Sequence, residues 1–222
     1  MKTSLSSPDA AVLHAAVLAA KGVSFDEPLL AIARDGSKSA ETRLAAFVTA
    51  ASHKKPLNEI DIGWLKTLVT QGETPLSRIS AARALGSAAL TTDQLKIVAS
   101  LIAQVGPLEL SPLLAAFNGV TDDAVGKELA ASLAKSPGSG SLSLTQIESL
   151  LKPFSEDARK PIQPLLERLA SAAKEQRTRL EGLLAHLDGG NAQAGRDIFV
   201  NKRAACTACH RVGDSGGKSA PT

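Results

Sequence analysis

Apolar residues along the chain gather in clusters about one short helix long, and Gly, Pro and small polar residues separate the clusters. The clusters come in pairs. Ser7 to Ala20 is followed by Glu27 to Arg34, which stops at Asp35-Gly36. Ser39 to Ser52 is followed by Ile62 to Thr70, stopping at Gly72. Thr74-Pro75 opens a helix that runs to Ser87, and Thr92 to Val105 follows, ending at Gly106-Pro107. Leu108 to Asn118 and Thr121 to Ala134 make a fourth pair. Each start carries Ser, Thr or Asp near the cap and most stops carry Gly, the residues that satisfy or release the free backbone groups of a helix end.

The pairs repeat. Leu44-Ala45-Ala46-Phe47 matches Leu114-Ala115-Ala116-Phe117 at a separation of 70 residues, with Ile79-Ser80-Ala81-Ala82 halfway between them. Asp9-Ala10-Ala11-Val12 lies 35 residues before the first of these. Two helices per unit of that period predict an α-solenoid, in which each unit buries its apolar face only by stacking on its neighbours.

Lys135 to Ser143 is rich in Ser and Gly and reads as a loop, followed by a short helix over Thr145 to Leu151. A longer helix then begins near Pro161 and Pro164, which fit only a first turn. Ile162, Leu165, Leu166, Leu169, Ala172, Ala173, Leu180, Leu183, Leu184 and Leu187 fall on one face of it. Arg159, Lys160, Arg168, Lys174, Arg177 and Arg179 give it a basic face, partly offset by Glu167, Glu175 and Glu181, that reads as solvated. Asp188-Gly189-Gly190 ends it, so the sequence divides into residues 1–188, a helical repeat domain with a long linker helix, and residues 189–222.

Composition agrees with an all-α fold. Of 222 residues, 37 are alanine and only six are aromatic. An all-β fold wants β-branched and aromatic residues, and disorder is disfavoured by 44% apolar residues with a net charge of only +3. That weak charge and the few rings also argue against nucleic acid as a partner. The Ala10 to Ala20 run reads as a helix, not a signal-peptide core, because Ser7-Pro8-Asp9 precedes it as cap, first-turn Pro and first-turn acid. No stretch reaches the ~18 apolar residues of a transmembrane span.

The only two cysteines stand in Cys206-Thr207-Ala208-Cys209-His210. Cys-x-x-Cys-His is the attachment signature of a c-type haem. Two thiols about one helical turn apart can each form a thioether with one vinyl group on a haem edge, and the following imidazole becomes the proximal iron ligand. Cys206 and Cys209 are therefore candidate attachment residues and His210 the candidate iron ligand. A zinc site, a thioredoxin-like redox pair and two inert cysteines are the alternatives. Zinc wants four ligands, and a redox pair wants a βαβ pattern that is not evident. The other histidines, His14, His53 and His186, are isolated on helices or at helix ends and read as surface or packed residues.

Arg43-Leu44-x-Ala46 and Arg78-Ile79-x-Ala81 resemble HEAT-repeat helices, which implies a curved scaffold holding other domains or partners. The run from Asn191 to Phe199, with Ala204-Ala205 leading into Cys206, resembles the amino-terminal helix and haem loop of a class I cytochrome c. That resemblance implies that Gly195 allows close packing against a later helix and that Phe199 lies near the haem edge. Gly216-Gly217-Lys218-Ser219-Ala220-Pro221 resembles the loop where such domains carry Gly-Pro, with Ala220 standing where Gly is usual. By resemblance, the Pro221 carbonyl accepts from the proximal imidazole.

No methionine follows Met1, so the Met that usually serves as sixth ligand is missing, and the chain is expected to be a fragment cut within its cytochrome domain. Together these features resemble a family of multi-domain haem-binding proteins of planctomycetes and verrucomicrobia, similar to membrane-bound dehydrogenases. There a β-propeller usually precedes HEAT-like repeats and a cytochrome c domain follows. The resemblance implies a non-enzymatic electron-transfer module bearing covalent haem c. It would take electrons from a dehydrogenase domain or partner, in a periplasmic or exported setting close to a membrane. A protein-binding scaffold with a non-functional haem motif remains as the alternative, and haem used for sensing or peroxidase work as a third.

Overall fold

The computed structural model describes residues 4–20, 25–186, 189–201 and 203–217. The described residues are all-α apart from one small hairpin, and the helix starts show how local chemistry sets the boundaries. The first helix, α1 (Ala10–Ala19), is capped by Asp9, whose carboxylate accepts from the N–H groups of Ala11 and Val12 at 2.9 and 3.0 Å. The expected cap Ser7 instead accepts from the Asp9 N–H, so Pro8 falls outside the helix. Helix α2 (Asp26–Arg34) and α3 (Ala40–Ser52, capped by Ser39) follow. Helix α4 (Glu59–Gln71) starts before the predicted Ile62, because Asn58 and Asp61 form a reciprocal capping box. Helix α5 (Pro75–Ser87) is capped by Thr74 and α6 (Thr92–Ile102) by a Thr91–Gln94 box.

The predicted Leu108–Asn118 helix becomes α7 (Pro107–Leu114) and a 3₁₀ turn, Ala115–Phe117. Pro112 inside α7 has no N–H to donate and leaves a carbonyl of the preceding turn without its helical partner. Helix α8 (Asp123–Lys135) is capped by Asp122, and α9 (Leu144–Leu151) by a Ser143–Gln146 box. The intervening loop is packed. Ser136 and Ser139 are buried, and the Ser136 hydroxyl donates to the Val105 carbonyl at 3.2 Å. A short helix, α10 (Glu156–Arg159, capped by Ser155), and a 3₁₀ turn over Lys160–Ile162 precede the long α11 (Gln163–Leu184).

The chain divides into two compact units, Met1–Ala170 and Ser171–Thr222, with the division inside α11. In the first unit, α1 packs on α3, α3 on α5 and α5 on α7, forming one row. A second row runs α4, α6, α8 and α10, and α2 and α4 pack against α3 and α5 to join the rows. Ala46, Ala50, Ala81 and Ala84 are fully buried, and residues this small let the helix backbones approach closely. Phe47 and Phe117, the aromatic ends of the two matching tetrapeptides, are also buried.

Polar links tie elements that lie about 30 residues apart. Arg34 makes a two-pronged contact with buried Asp61, Nη2 to Oδ2 at 2.8 Å and Nε to Oδ1 at 3.2 Å. Arg78 donates to Glu109 at 2.8 Å, and the Ser155 N–H donates to Asp123 at 2.8 Å. Arg43 and Arg78 act alike. Arg43 donates to the Ala33 carbonyl at 2.9 Å and Arg78 to the Gly72 carbonyl at 3.0 Å, each serving carbonyls left free at the end of the preceding helix. Arg43 also lies over Trp64, 4.2 Å from its ring centre.

The apolar face of α11 is buried only at its start. Leu165 is buried with the neighbouring Ile162, whereas Leu180, Leu183 and Leu184 are exposed. Leu187 and Asp188 lie outside the described residues. In the second unit, α11 is followed by α12 (Ala192–Val200), a 3₁₀ turn over Cys206–Ala208, and the antiparallel strands β1 (Arg211–Val212) and β2 (Ser215–Gly216). Among the described residues, no helix is long and apolar enough to cross a membrane.

Candidate functional site

The site begins at α12. Asn191 caps it by accepting from the Ala194 N–H at 2.9 Å, and Asn201 ends it. Asn201 then organises the descent into the motif. Its side chain accepts from the Arg203 N–H at 2.8 Å and its carbonyl from the Ala205 N–H at 2.9 Å. Ala205 takes a left-handed conformation, φ 51°, which costs an L-residue about 1–2 kcal/mol. That reversal delivers the chain into the 3₁₀ turn holding Cys206, Thr207 and Ala208.

The motif is one closed turn. The Cys206 carbonyl accepts from both the Cys209 N–H at 3.2 Å and the His210 N–H at 2.9 Å. Cys206, Cys209 and His210 therefore hang from a single backbone acceptor. Both cysteines are free thiols, Cys206 half-buried and Cys209 exposed, and His210 is exposed. Among the described residues, no three His, Cys, Asp or Glu side chains converge as a metal cage.

After His210 the chain doubles back. Arg211 pairs with Gly216 and Val212 with Ser215 across a two-residue turn, with Gly213 at φ 60°. Glycine at the first central position is what a tight hairpin of this length requires. The return strand ends on the motif itself, where the Gly217 N–H donates to the Thr207 carbonyl at 2.7 Å. Sequence reading missed this hairpin, although Gly213-Asp214 between two polar-apolar pairs was its signal.

A cleft of about 590 Å³ lies between α12 and the hairpin, lined by Ala192, Gly195, Arg196, Phe199, Val212 and Asp214 among others. Phe199 is half-buried there, but Cys206, Cys209 and His210 do not line the cleft. A methyl group at Gly195 would meet nothing within 4 Å, so the close helix packing implied for it is absent among the described residues. Pro221 lies outside the described residues, as do Lys202 and Lys218. The basic residues near the motif are partly neutralised locally, Arg211 lying 3.6 Å from Asp214.

No described residue from Ser171 onward is buried. Ile198, Val200 and Val212 are exposed, at 64%, 45% and 65%. A segment of this size that buries no side chain has almost no hydrophobic term to offset the entropy of ordering it.

His14 and His53 are accounted for within the first unit. His14 contacts Thr42 at 3.3 Å, and His53 pairs with buried Asp26 at 2.5 Å, with Lys55 at 3.4 Å on the other carboxylate oxygen. His186 is exposed.

No family model, curated protein or solved structure matches this chain.

Proposed function

We propose that this chain is a c-type haem-binding electron-transfer module mounted on a HEAT-like helical solenoid. The observation that carries the reading is the single turn that presents two free thiols and an imidazole in a unit whose described residues bury no side chain. Cys206 and Cys209 would each hold one edge of the haem by a thioether, and His210 would ligate its iron. The apolar surfaces of Phe199, Ile198, Val200 and Val212 give the haem face something to cover, supplying the burial the unit lacks. Bound haem supplies reversible one-electron transfer. The role of this chain is to hold it, present its ligand and carry it on the repeat array.

The two rows of helices and the like-acting Arg43 and Arg78, 35 residues apart, support the solenoid. By resemblance to the planctomycete and verrucomicrobial family, electrons would come from a dehydrogenase domain or partner outside the cytoplasm, where c-type haem is attached.

Coexpression with haem-attachment machinery tests this. The purified chain is expected to show a c-type pyridine haemochrome that survives denaturation, and Cys206→Ala to change it. Covalent haem unchanged in Cys206→Ala would sink the reading.

A groove of about 600 Å³ in the first unit favours a second reading, a protein-binding scaffold. Leu18, Leu44, Val48, Leu68 and Leu76 line it, with Leu18 59% and Leu76 68% exposed. A chain that stays colourless after full maturation yet retains a specific partner would favour that reading.

A further inference from the structure

We infer that Gly216 and Gly217 form a positioning strap for the attached group, Gly217 fixing the interval between the two thiols and Gly216 fixing the backbone that carries His210. This inference rests on the haem reading above and deepens it.

The strap meets the motif at two places. The Gly217 N–H donates to the Thr207 carbonyl at 2.7 Å, inside the two-residue interval between Cys206 and Cys209. A Cβ on Gly217 would collide with the Ala208 carbonyl, the other residue of that interval. Both spacer residues are therefore in backbone contact with one glycine. Gly216 sits one residue earlier at φ 115°, a conformation closed to residues with a Cβ, and a Cβ there would collide with the His210 carbonyl. Gly216 is also the strand partner of Arg211, the residue directly after His210.

His210 is thus held from both sides. Its own N–H donates back to Cys206 at 2.9 Å, and its carbonyl lies against Gly216. Three groups that must meet a rigid planar cofactor at once need their mutual spacing set beforehand, because each misplacement is a loss shared by all the bonds. Gly213 serves as the internal contrast. It has φ 60°, but a methyl group added there would meet nothing within 4 Å, so it shapes the turn without touching the motif.

The test uses the full chain, matured with haem-attachment machinery, as wild type, Gly182→Ala, Gly216→Ala and Gly217→Ala. Gly182→Ala, in α11 where a methyl group would meet nothing within 4 Å, is expected to match wild type in every haem readout. Gly217→Ala is expected to accumulate haem held by one thioether, seen as a haemochrome band moved to longer wavelength. Gly216→Ala is expected to keep both thioethers but lose the histidine-ligation signature of the Soret region, with recovery on adding free imidazole. Wild-type bands and ligation in both alanine variants would overturn the assignment. Amide exchange in the haem-free chain provides a readout independent of maturation. The Gly217 amide is expected to exchange more slowly than in an unstructured peptide in wild type and at the unstructured rate in Gly216→Ala. Unstructured exchange in wild type would also overturn the strap. A wild-type chain with a protected Gly217 amide that takes no haem overturns the haem reading, and with it the purpose given to the strap.

Discussion

Arg34 and Asp61 illustrate what single residues contribute. Asp61 is 2% exposed and has two duties, receiving the Arg34 guanidinium and capping α4 through the Asn58 N–H at 3.0 Å. Asp61→Ala removes both and leaves Arg34 without its carboxylate, so we expect a loss of about 2–4 kcal/mol in urea unfolding. Arg34→Ala leaves the buried Asp61 carboxylate held only by the Asn58 N–H, so it should cost a similar amount, about 2–4 kcal/mol. A loss below about 1 kcal/mol in Arg34→Ala would contradict this dependence. None of this was readable beforehand, since partners about 30 residues apart are brought together by packing. The motif was readable for the opposite reason. Cys206, Cys209 and His210 share one turn of backbone, so their spacing in sequence already sets their spacing along that turn. The strap that touches them was not read, because close backbone approach leaves only an ambiguous glycine pair in the sequence.

Glycines inside helices give the clearest test at the scale of elements. Gly63 in α4 has open space around a would-be Cβ, whereas a Cβ on Gly86 in α5 would collide with the Pro112 carbonyl of α7. Alanine improves helix propensity by about 0.5–1 kcal/mol at either site. Gly63→Ala should therefore raise the urea midpoint. At Gly86 the collision is with backbone, and overpacking costs of about 1–3 kcal/mol or more outweigh the gain, so the midpoint should fall. The proline inside α7 and the glycine that admits its carbonyl are one device, and neither was read from the sequence.

A second element-scale prediction concerns acid. Asp123 in α8 accepts from the Ser155 N–H ahead of α10, and this bond holds its carboxyl below the ordinary value. Stability from a lowered carboxyl is present above the unfolded value of about 3.9 and is lost as pH falls through the folded value. The urea midpoint should decline on acidification below about pH 4, and less steeply in Asp123→Ala. Identical slopes would contradict the role given to that bond. Most helix starts followed their caps in the sequence, as at Ser39 and Thr74. The short α10 escaped notice because four residues carry no readable periodicity.

The whole molecule joins two kinds of order. Residues up to Ala170 pack a continuous apolar core between two rows of helices, and alanine richness made the helical content legible. Residues from Ser171 onward hold their shape through caps, one tight turn and a hairpin, with no buried side chain among those described. The first unit is stabilised by its own sequence. The second presents two thiols, an imidazole and exposed apolar surface, all of which the proposed haem would engage at once. The intact mass of the full chain after coexpression with haem-attachment machinery tests this most directly. The account predicts a mass increased by one haem in wild type, and the unmodified mass in the Cys206→Ala, Cys209→Ala double variant. An unmodified wild-type mass, or a haem adduct that survives loss of both cysteines, would contradict it.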